Sequence, residues 1–227
     1  MKLILLDIEG TTTSIDFVAK VLFPYSYQRL EDFVKKNIKN PLFEKNFSSL
    51  KDKVKKENLS KTSIENNIID YLKKLIDQDI KDSDLKVIQG FIWEEGYISG
   101  ELKGHIYPDV PSKLSEWVSK NIQLGIYSSG SIKAQKLLFK YSEYNDLDKH
   151  FSYNFDLQMG SKKDVSSYIK ISHELNILPE EITFISDSSD EVNSANKANF
   201  KTYLIQRNPD KENKKLGQIE SFKDLPF

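Results

Sequence analysis

The chain of 227 residues contains no cysteine, and this absence removes whole classes of chemistry. Without thiols there is no disulfide, no Cys-ligated zinc, no iron–sulfur cluster and no thiol nucleophile. Histidine is also scarce, since only His105, His150 and His173 are present, so a metal site built from several imidazoles is not expected. Any chemistry must therefore rest on carboxylates, hydroxyls and lysines.

An excess of charge of one sign is missing as well. Lys and Arg number 33 against 34 Asp and Glu, which gives a formal net charge of −1. Nucleic-acid and membrane-surface proteins want a basic excess, so neither kind of partner is expected. Lys2 is followed by only four apolar residues before Asp7, too few for a signal-peptide core, and no apolar run approaches the roughly 18 residues of a membrane span. We expect a cytoplasmic protein.

The distribution of glycine and of apolar residues divides the chain. All nine glycines lie outside residues 11–89, and Ile64, Ile68, Leu72 and Ile76 recur at every fourth position, as in one face of a helix. We therefore expect residues 16–100 to be mostly helical. Within this block, Pro24 is predicted to break an early helix and Gly96 to end the last one.

The rest of the chain alternates strands with helices. Leu3–Leu6 is a continuous apolar run, typical of a strand covered on both faces. Further strands are predicted at residues 122–127, 150–156, 182–186 and 201–205, with loops and helices between them. This alternation predicts an α/β fold, a Rossmann-like parallel sheet with right-handed crossovers. The α/β core would comprise residues 1–15 and 101–227, with residues 16–100 as a helical insertion.

Polar residues with catalytic potential stand where the predicted strands end. Ligands bind at the carboxyl ends of the strands in such a sheet. The residues found there or in the adjoining loops are Asp7, Glu9, Ser128, Ser129, Lys162, Lys163, Asp187, Asp190 and Glu191. Each alone has an ordinary explanation, because a lone Asp or Ser after a strand usually caps a turn or a helix, and acids favour a helix N-terminus. It is their order along the chain, each at a strand end or loop, that indicates a site.

Carboxylates brought together repel each other, and a cation between them relieves the repulsion. With no Cys and few His, a hard cation bound through oxygen is the economical choice, and Mg²⁺ fits because it takes a few carboxylates plus waters and phosphate. An Asp in such a site can attack phosphorus and form an aspartyl-phosphate. Lys and Ser donors would neutralise the charge on the transferring group.

These motifs resemble a known family. Asp7-x-x-Gly10-Thr11 follows the first strand, a Ser ends the second, and a Lys and then a Ser-Asp pair come later in the chain. Together they are similar to the motifs of the haloacid dehalogenase superfamily. Residues 6–15, 17–18, 22–25, 93–104, 126–131 and 134–139 narrow the resemblance to the enolase-phosphatases of methionine salvage, and it runs to about Ala195. Glu9 is specific, because most phosphatases of the superfamily have Asp at that place.

The resemblance implies a role for each matched residue. Asp7 would be the nucleophile and a Mg²⁺ ligand, Glu9 the general acid/base and a ligand through its main-chain carbonyl, and Asp187 the third protein ligand. Ser128, Ser129 and Lys162 would hold the phosphate, with Lys162 preferred to Lys163 because of its Gly-x-Lys spacing. Asp190 and Glu191 would stay outside this set, with Glu191 orienting ligands. The resemblance further implies one Mg²⁺ per chain, a monomer, and residues 16–100 as a cap that closes over the substrate.

The implied reaction has two parts. The substrate 2,3-diketo-5-methylthiopentyl-1-phosphate would first be enolised and then dephosphorylated to the acireductone 1,2-dihydroxy-3-keto-5-methylthiopentene. The residues themselves point only to the dephosphorylation, and the base for enolisation is left open. One alternative is another Mg²⁺ phosphatase of the superfamily, acting on a sugar or nucleotide phosphate. A second is a phospho-accepting receiver domain, which is much shorter and needs no helical insertion. The dehalogenases of the superfamily need no metal, and Glu9 with Asp187 argues against them.

Overall fold

The fold was examined in a computed structural model, which describes residues 1–57, 63–78, 80–207 and 218–227. The chain divides into two compact units. One comprises Met1–Val18 and Lys103–Phe227, and the other comprises Ala19–Leu102. Both divisions fall slightly further along the chain than the limits predicted from the sequence.

The first unit contains a parallel sheet. Its six strands are β1 (Leu3–Leu6), β2 (Gln123–Tyr127), β3 (Tyr153–Phe155), β4 (Ile182–Ser186), β5 (Lys201–Ile205) and β6 (Gln218–Ile219). Their order across the sheet is β3-β2-β1-β4-β5-β6, and every neighbouring pair is parallel. All four residues of β1 are fully buried, which explains why that strand is a continuous apolar run. The predicted α/β fold class is confirmed.

Helices connect the strands of this unit. They are α1 (Ile15–Phe17), α6 (Val110–Ser119), α7 (Ile132–Lys140), α8 (Val165–Leu175) and α9 (Ser189–Lys197). Aromatic rings of the sheet and of α8 fill one part of the core, where Tyr168 contacts Tyr127, Phe184 and Phe200 edge to face. This packing holds the end of β2 and the middle of β4 against the start of α8.

The second unit is helical in the part of it that the structure describes. Its helices are α2 (Phe23–Asn37), α3 (Glu44–Lys56), α4 (Ile64–Asp77) and α5 (Ser83–Ser99). They bury a core of their own, which includes Leu30, Phe47, Leu72 and Ile88. None of the helices within the described ranges is both long and apolar enough to cross a membrane.

The helix limits in this unit were partly predicted. A π-helix, Val18–Leu22, ends where α2 begins, so the early helical run changes next to Pro24 as expected. Pro24 itself lies in the first turn of α2, where a missing N–H is tolerated. Helix α5 does not end at Gly96 but continues to Ser99, and Gly100 closes it in a left-handed conformation with a φ of 80°. A Cβ on Gly96 would instead collide with the hydroxyl of Tyr25, so this glycine permits close packing of α5 on α2.

Candidate active site

A tight loop follows β1 and presents Asp7 at the centre of the sheet edge. The main-chain N–H of Asp7 donates to the carbonyl of Ile185 on β4 at 3.0 Å, so the strand pairing reaches as far as this residue. The next carbonyl, that of Ile8, accepts from the N–H groups of Thr11, Thr12 and Thr13 at 2.9–3.2 Å. These bonds turn the chain back on itself directly after Asp7. The Asp7 carboxylate is consequently buried and held by a rigid main chain.

Lys162 joins Asp7 to a second carboxylate. Its Nζ lies 2.6 Å from Oδ1 of Asp7 and 2.7 Å from Oε2 of Glu191, and its side chain is only 7% exposed. The Tyr168 hydroxyl donates to the Lys162 carbonyl at 2.6 Å and so fixes the main chain from which this lysine extends. Burial alone would lower the pKa of Lys162, but the charges of Asp7 and Glu191 outweigh it and raise that pKa. Lys162 is therefore charged at neutral pH.

The neighbouring lysine has a different environment. The side chain of Lys163 is 65% exposed and pairs at 2.9 Å with Asp190, which is 63% exposed. Such a surface pair contributes little to stability. The structure therefore separates the two adjacent lysines and places Lys162 alone at the sheet edge.

Ser186 and Glu191 complete the surroundings of Asp7 on the β4 side. The Ser186 hydroxyl lies 3.2 Å from Oδ2 of Asp7 and 2.9 Å from Oε2 of Glu191, so its single proton can serve either carboxylate. Burial raises the pKa of Glu191, and the charge on Asp7 raises it further, whereas Lys162 opposes the shift. Glu191 thus orients Lys162 and Ser186 by direct contact.

Asp187 lies beside the loop that follows β1. Its main-chain N–H donates to Oγ1 of Thr11 at 3.0 Å. A Cβ on Gly10 would overlap Oδ2 of Asp187, and Gly10 has a φ of 69°, so only glycine leaves room for this carboxylate. Burial raises the pKa of Asp187 to about 6, and the charges on Asp7 and Glu191 add to the rise. The Asp187 carboxylate therefore lies directly against Gly10, near enough to Asp7 for the two negative charges to repel each other.

The donor set fits a hard divalent cation. The carboxylates of Asp7, which is buried, and of Asp187 and Glu191, which are partly buried, are opposed by the ammonium of Lys162, which leaves a surplus of negative charge. Within the described ranges, no three His, Asp or Glu side chains converge as a ready metal cage. Mg²⁺ does not require one, because it binds through one or two carboxylates and completes its shell with waters and phosphate oxygens. The carboxylates of Asp7 and Asp187 are close enough for the charge of Asp7 to raise the pKa of Asp187, and a cation between them would relieve that repulsion.

The loop after β2 has its own support. Ser128 is buried, and its hydroxyl accepts from the N–H of Gly130 at 3.3 Å. The amide of Gln135, also buried, donates to the carbonyls of Gly130 at 3.0 Å and Phe155 at 2.9 Å. Asn154 donates to the oxygen of the same amide at 3.1 Å, so every group of Gln135 is used. This network fixes the turn that carries the predicted phosphate-binding serines.

The structure brings most of the predicted site residues to one edge. Asp7, Lys162 and Asp187 lie around the end of β1, and the pairing of Leu6 with Ile126 places Ser128 at the end of the adjacent strand. Ser129 is exposed. Glu9 is half-buried in the loop after β1, where its main chain pairs with that of Thr13 in an isolated β-bridge.

Sequence reasoning missed three supporting groups. These are Ser186, the direct contact of Glu191 with Lys162, and Gln135. Ser186 had a signal, because it stands at a strand end just before Asp187. Glu191 falls in the first turn of α9, where an acid has an ordinary explanation, and Gln135 gives no pattern of its own.

Comparison with known proteins places the chain among phosphatases. A family model described as haloacid dehalogenase-like hydrolase matches residues 1–199. A protein named Enolase-phosphatase E1 from a Sulfurihydrogenibium species is 47% identical over 228 residues, covering 99% of this chain and 97% of the relative. A protein of the same name from Aquifex aeolicus is 42% identical over 225 residues and is covered to 99%, as is this chain.

Solved structures agree on the fold. The UTR4 protein of Saccharomyces cerevisiae superposes with a TM-score of 0.80 at 29% identity, over 99% of both chains. CbbY from Rhodobacter sphaeroides, in complex with phosphate, has a TM-score of 0.61 at 15% identity, over 100% of this chain and 96% of that one, which supports the fold alone.

Proposed function

Since the chain belongs to the enolase-phosphatases, within the haloacid dehalogenase-like hydrolases, we propose that it converts 2,3-diketo-5-methylthiopentyl-1-phosphate to the acireductone and inorganic phosphate. The observation that carries the chemistry is the Asp7 carboxylate at the end of β1, bonded to a buried ammonium and flanked by the Asp187 carboxylate. This arrangement supports a nucleophile aimed at an anionic group.

Asp7 is the proposed nucleophile. One of its oxygens is held by Lys162 and the other lies beside the Ser186 hydroxyl, so the carboxylate has a fixed orientation before substrate arrives. Attack of a carboxylate oxygen on phosphorus forms the aspartyl-phosphate and releases the enol oxygen as the leaving group. The proton that this oxygen requires is assigned to Glu9, in the loop directly after Asp7.

Lys162 is assigned to the phosphate as well as to Asp7. An ammonium has three N–H donors, and Asp7 and Glu191 take two of them. The third is the one we assign to a phosphate oxygen. Ser128 and Ser129 would contribute further donors from the end of the neighbouring strand.

The residues fit Mg²⁺, and we propose that Asp7, Asp187 and the main-chain carbonyl of Glu9 hold one ion per chain. When bound, this ion supplies positive charge to the phosphoryl oxygens and to an enolate oxygen. The same carboxylates keep that role only while Gly10 leaves space for Asp187.

Hydrolysis of the aspartyl-phosphate completes the cycle. Glu9 as the general base would take a proton from water, which attacks phosphorus and regenerates the Asp7 carboxylate. We place enolisation before these steps because the relatives of this chain are named enolase-phosphatases. It needs a proton removed beside a carbonyl, and the base is left open. We further propose that the enzyme is a cytoplasmic monomer and that the helical unit, Ala19–Leu102, is its cap.

A substrate panel tests the proposal. The purified protein would be given the diketone phosphate, several sugar phosphates and several nucleotide monophosphates, with Mg²⁺ or with a chelator, and released phosphate would be measured. We expect a strong preference for the diketone phosphate and no release in the chelator. Similar kcat/KM values across the panel would mean a generalist phosphatase instead. Formation of a stable phosphoprotein without turnover would point to a receiver-like role.

A further inference from the structure

A buried ion pair between Asp109 and Arg207 holds the active-site loop that follows β1. Nη1 of Arg207, two residues after β5, lies 2.8 and 2.7 Å from the two carboxylate oxygens of Asp109. These side chains are 7% and 9% exposed. Oδ2 of Asp109 also accepts from the Ser221 hydroxyl at 2.8 Å and from the N–H of Phe222 at 2.6 Å. Both carboxylate oxygens of Asp109 therefore accept hydrogen bonds, and both side chains are almost completely shielded from solvent.

The same guanidinium binds the main chain of the loop after β1. Nε of Arg207 donates to the carbonyl of Thr11 at 2.9 Å, and its Nη2 donates to the same oxygen. The guanidinium lies over the ring of Tyr107, 4.2 Å from its centre, and the N–H of Tyr107 donates to the carbonyl of Thr12 at 3.0 Å. A planar fork with five donors suits this double task, because separate nitrogens bond to Asp109 and to the Thr11 carbonyl.

Thr11 connects Arg207 to Asp187, one of the proposed metal ligands. Its carbonyl is bound by Arg207, whereas its Oγ1 accepts from the N–H of Asp187. Gly10, the neighbour of Thr11, lies directly against the carboxylate of Asp187. A shift of the Thr11 peptide would therefore alter the separation of Asp7 and Asp187.

We propose that the Asp109–Arg207 pair is a positioning device for the Mg²⁺ site, fixing the Thr11 peptide and so the spacing of the Asp7 and Asp187 carboxylates. The inference rests on the proposed function insofar as it takes these carboxylates to be metal ligands. Groups that orient metal ligands through hydrogen bonds typically change metal affinity or activity by about 10–100-fold when they are removed.

Three variants separate positioning from general stability. Arg207→Lys keeps the charge but replaces the three guanidinium nitrogens that bond to Asp109 and the Thr11 carbonyl with a single nitrogen on a shorter side chain. The double variant Asp109→Leu/Arg207→Met removes both charges, so that no buried charge is left without a partner. Lys113→Met is the matched control: Lys113 is a buried cation of the same unit that bonds to Glu116 at 3.0 Å and to the carbonyl of Phe227 at 2.8 Å, both away from the loop.

Mg²⁺ binding to each protein would be measured by isothermal titration calorimetry, alongside circular dichroism and, with the diketone phosphate, kcat and KM. We expect Arg207→Lys and the double variant to bind Mg²⁺ at least about tenfold more weakly than the unaltered protein. Their KM for the diketone phosphate, measured at saturating Mg²⁺, should equal that of the unaltered protein. The control should bind Mg²⁺ normally.

The inference is overturned if Arg207→Lys binds Mg²⁺ as tightly as the unaltered protein, whatever the double variant does. It is also overturned if Lys113→Met loses Mg²⁺ affinity to the same degree, because the effect would then be general. Should the unaltered protein bind Mg²⁺ yet leave the diketone phosphate intact, the proposed function fails, while the comparison of Mg²⁺ affinities still decides this inference.

Discussion

Replacement of Lys162 by methionine should destabilise the protein far more than the same change at Lys163. Lys162→Met leaves the buried carboxylates of Asp7 and Glu191 without the ammonium that lies within 2.7 Å of both. Loss of one partner from a buried pair costs about 3–5 kcal/mol of the free energy of unfolding. The pKa of Lys162 is raised in the folded state, so its contribution is complete at pH 7.5 and is lost only as pH rises through that raised value.

Urea unfolding at pH 7.5, followed by circular dichroism in the presence of a chelator, measures this cost. Lys163→Met serves as the control, because its exposed pair with Asp190 contributes little to stability. The difference between the variants should narrow at pH 5, since the raised pKa of Glu191 lets it take up a proton as pH falls. If the two variants unfold at the same urea concentration at pH 7.5, the bridging role of Lys162 is refuted.

Three further predictions concern Asp187, Gln135 and Glu9. Because the pKa of Asp187 is raised from 3.8 to about 6, its ionisation lowers the free energy of unfolding as pH rises from the lower value to the higher one, and the full cost remains above it. Asp187→Asn should therefore stabilise the metal-free protein at pH 7.5 by about 1–2 kcal/mol once partial exposure is allowed for. It should also abolish stabilisation by Mg²⁺ in the same urea assay. Gln135→Leu removes the hydrogen bonds to the Gly130 and Phe155 carbonyls and should raise the inhibition constant of inorganic phosphate about tenfold. An unchanged inhibition constant would mean that other contacts hold this loop. Glu9→Gln should slow turnover by about 10²–10⁴-fold and leave a phosphorylated protein visible by intact mass, whereas a loss explained wholly by weaker Mg²⁺ binding would make Glu9 a ligand only.

The sheet was largely predictable because its central strands, β1 and β4, are buried on both faces. Leu3–Leu6, Ile182–Ser186 and Lys201–Ile205 stand out as apolar or alternating runs with polar turns after them, and the structure has strands with those limits. The strand predicted at residues 150–156 is shorter, Tyr153–Phe155, because a 3₁₀ turn occupies its start. Strand β6 was missed, since two residues carry no periodicity.

Helix α6 was missed for a different reason. Its buried apolar residues, Val110, Leu114 and Trp117, have the helical spacing, but Pro111 and two serines stand between them and weaken the pattern. Proline is nevertheless tolerated in the first turn of a helix, as it is at the start of α2. In both places the tertiary packing of the apolar face outweighs the local signal.

The site shows a similar division between local and distant information. Asp7, Ser128 and Asp187 could be placed together from sequence, because the carboxyl ends of adjacent parallel strands meet at one edge. The support from Arg207 to Thr11 could not, since it joins positions 196 residues apart through a main-chain carbonyl that has no sequence signature. Contacts of that kind appear only when the fold is known.

The central claim is that Asp7 attacks phosphorus, whereas other groups carry out enolisation. The most direct test gives the diketone phosphate to the unaltered protein and to Asp7→Asn, with Mg²⁺ binding verified in both, and follows ultraviolet absorbance and released phosphate together. We expect Asp7→Asn to accumulate the conjugated enol phosphate and to release no phosphate. Phosphate release by Asp7→Asn at a rate near that of the unaltered protein would contradict it.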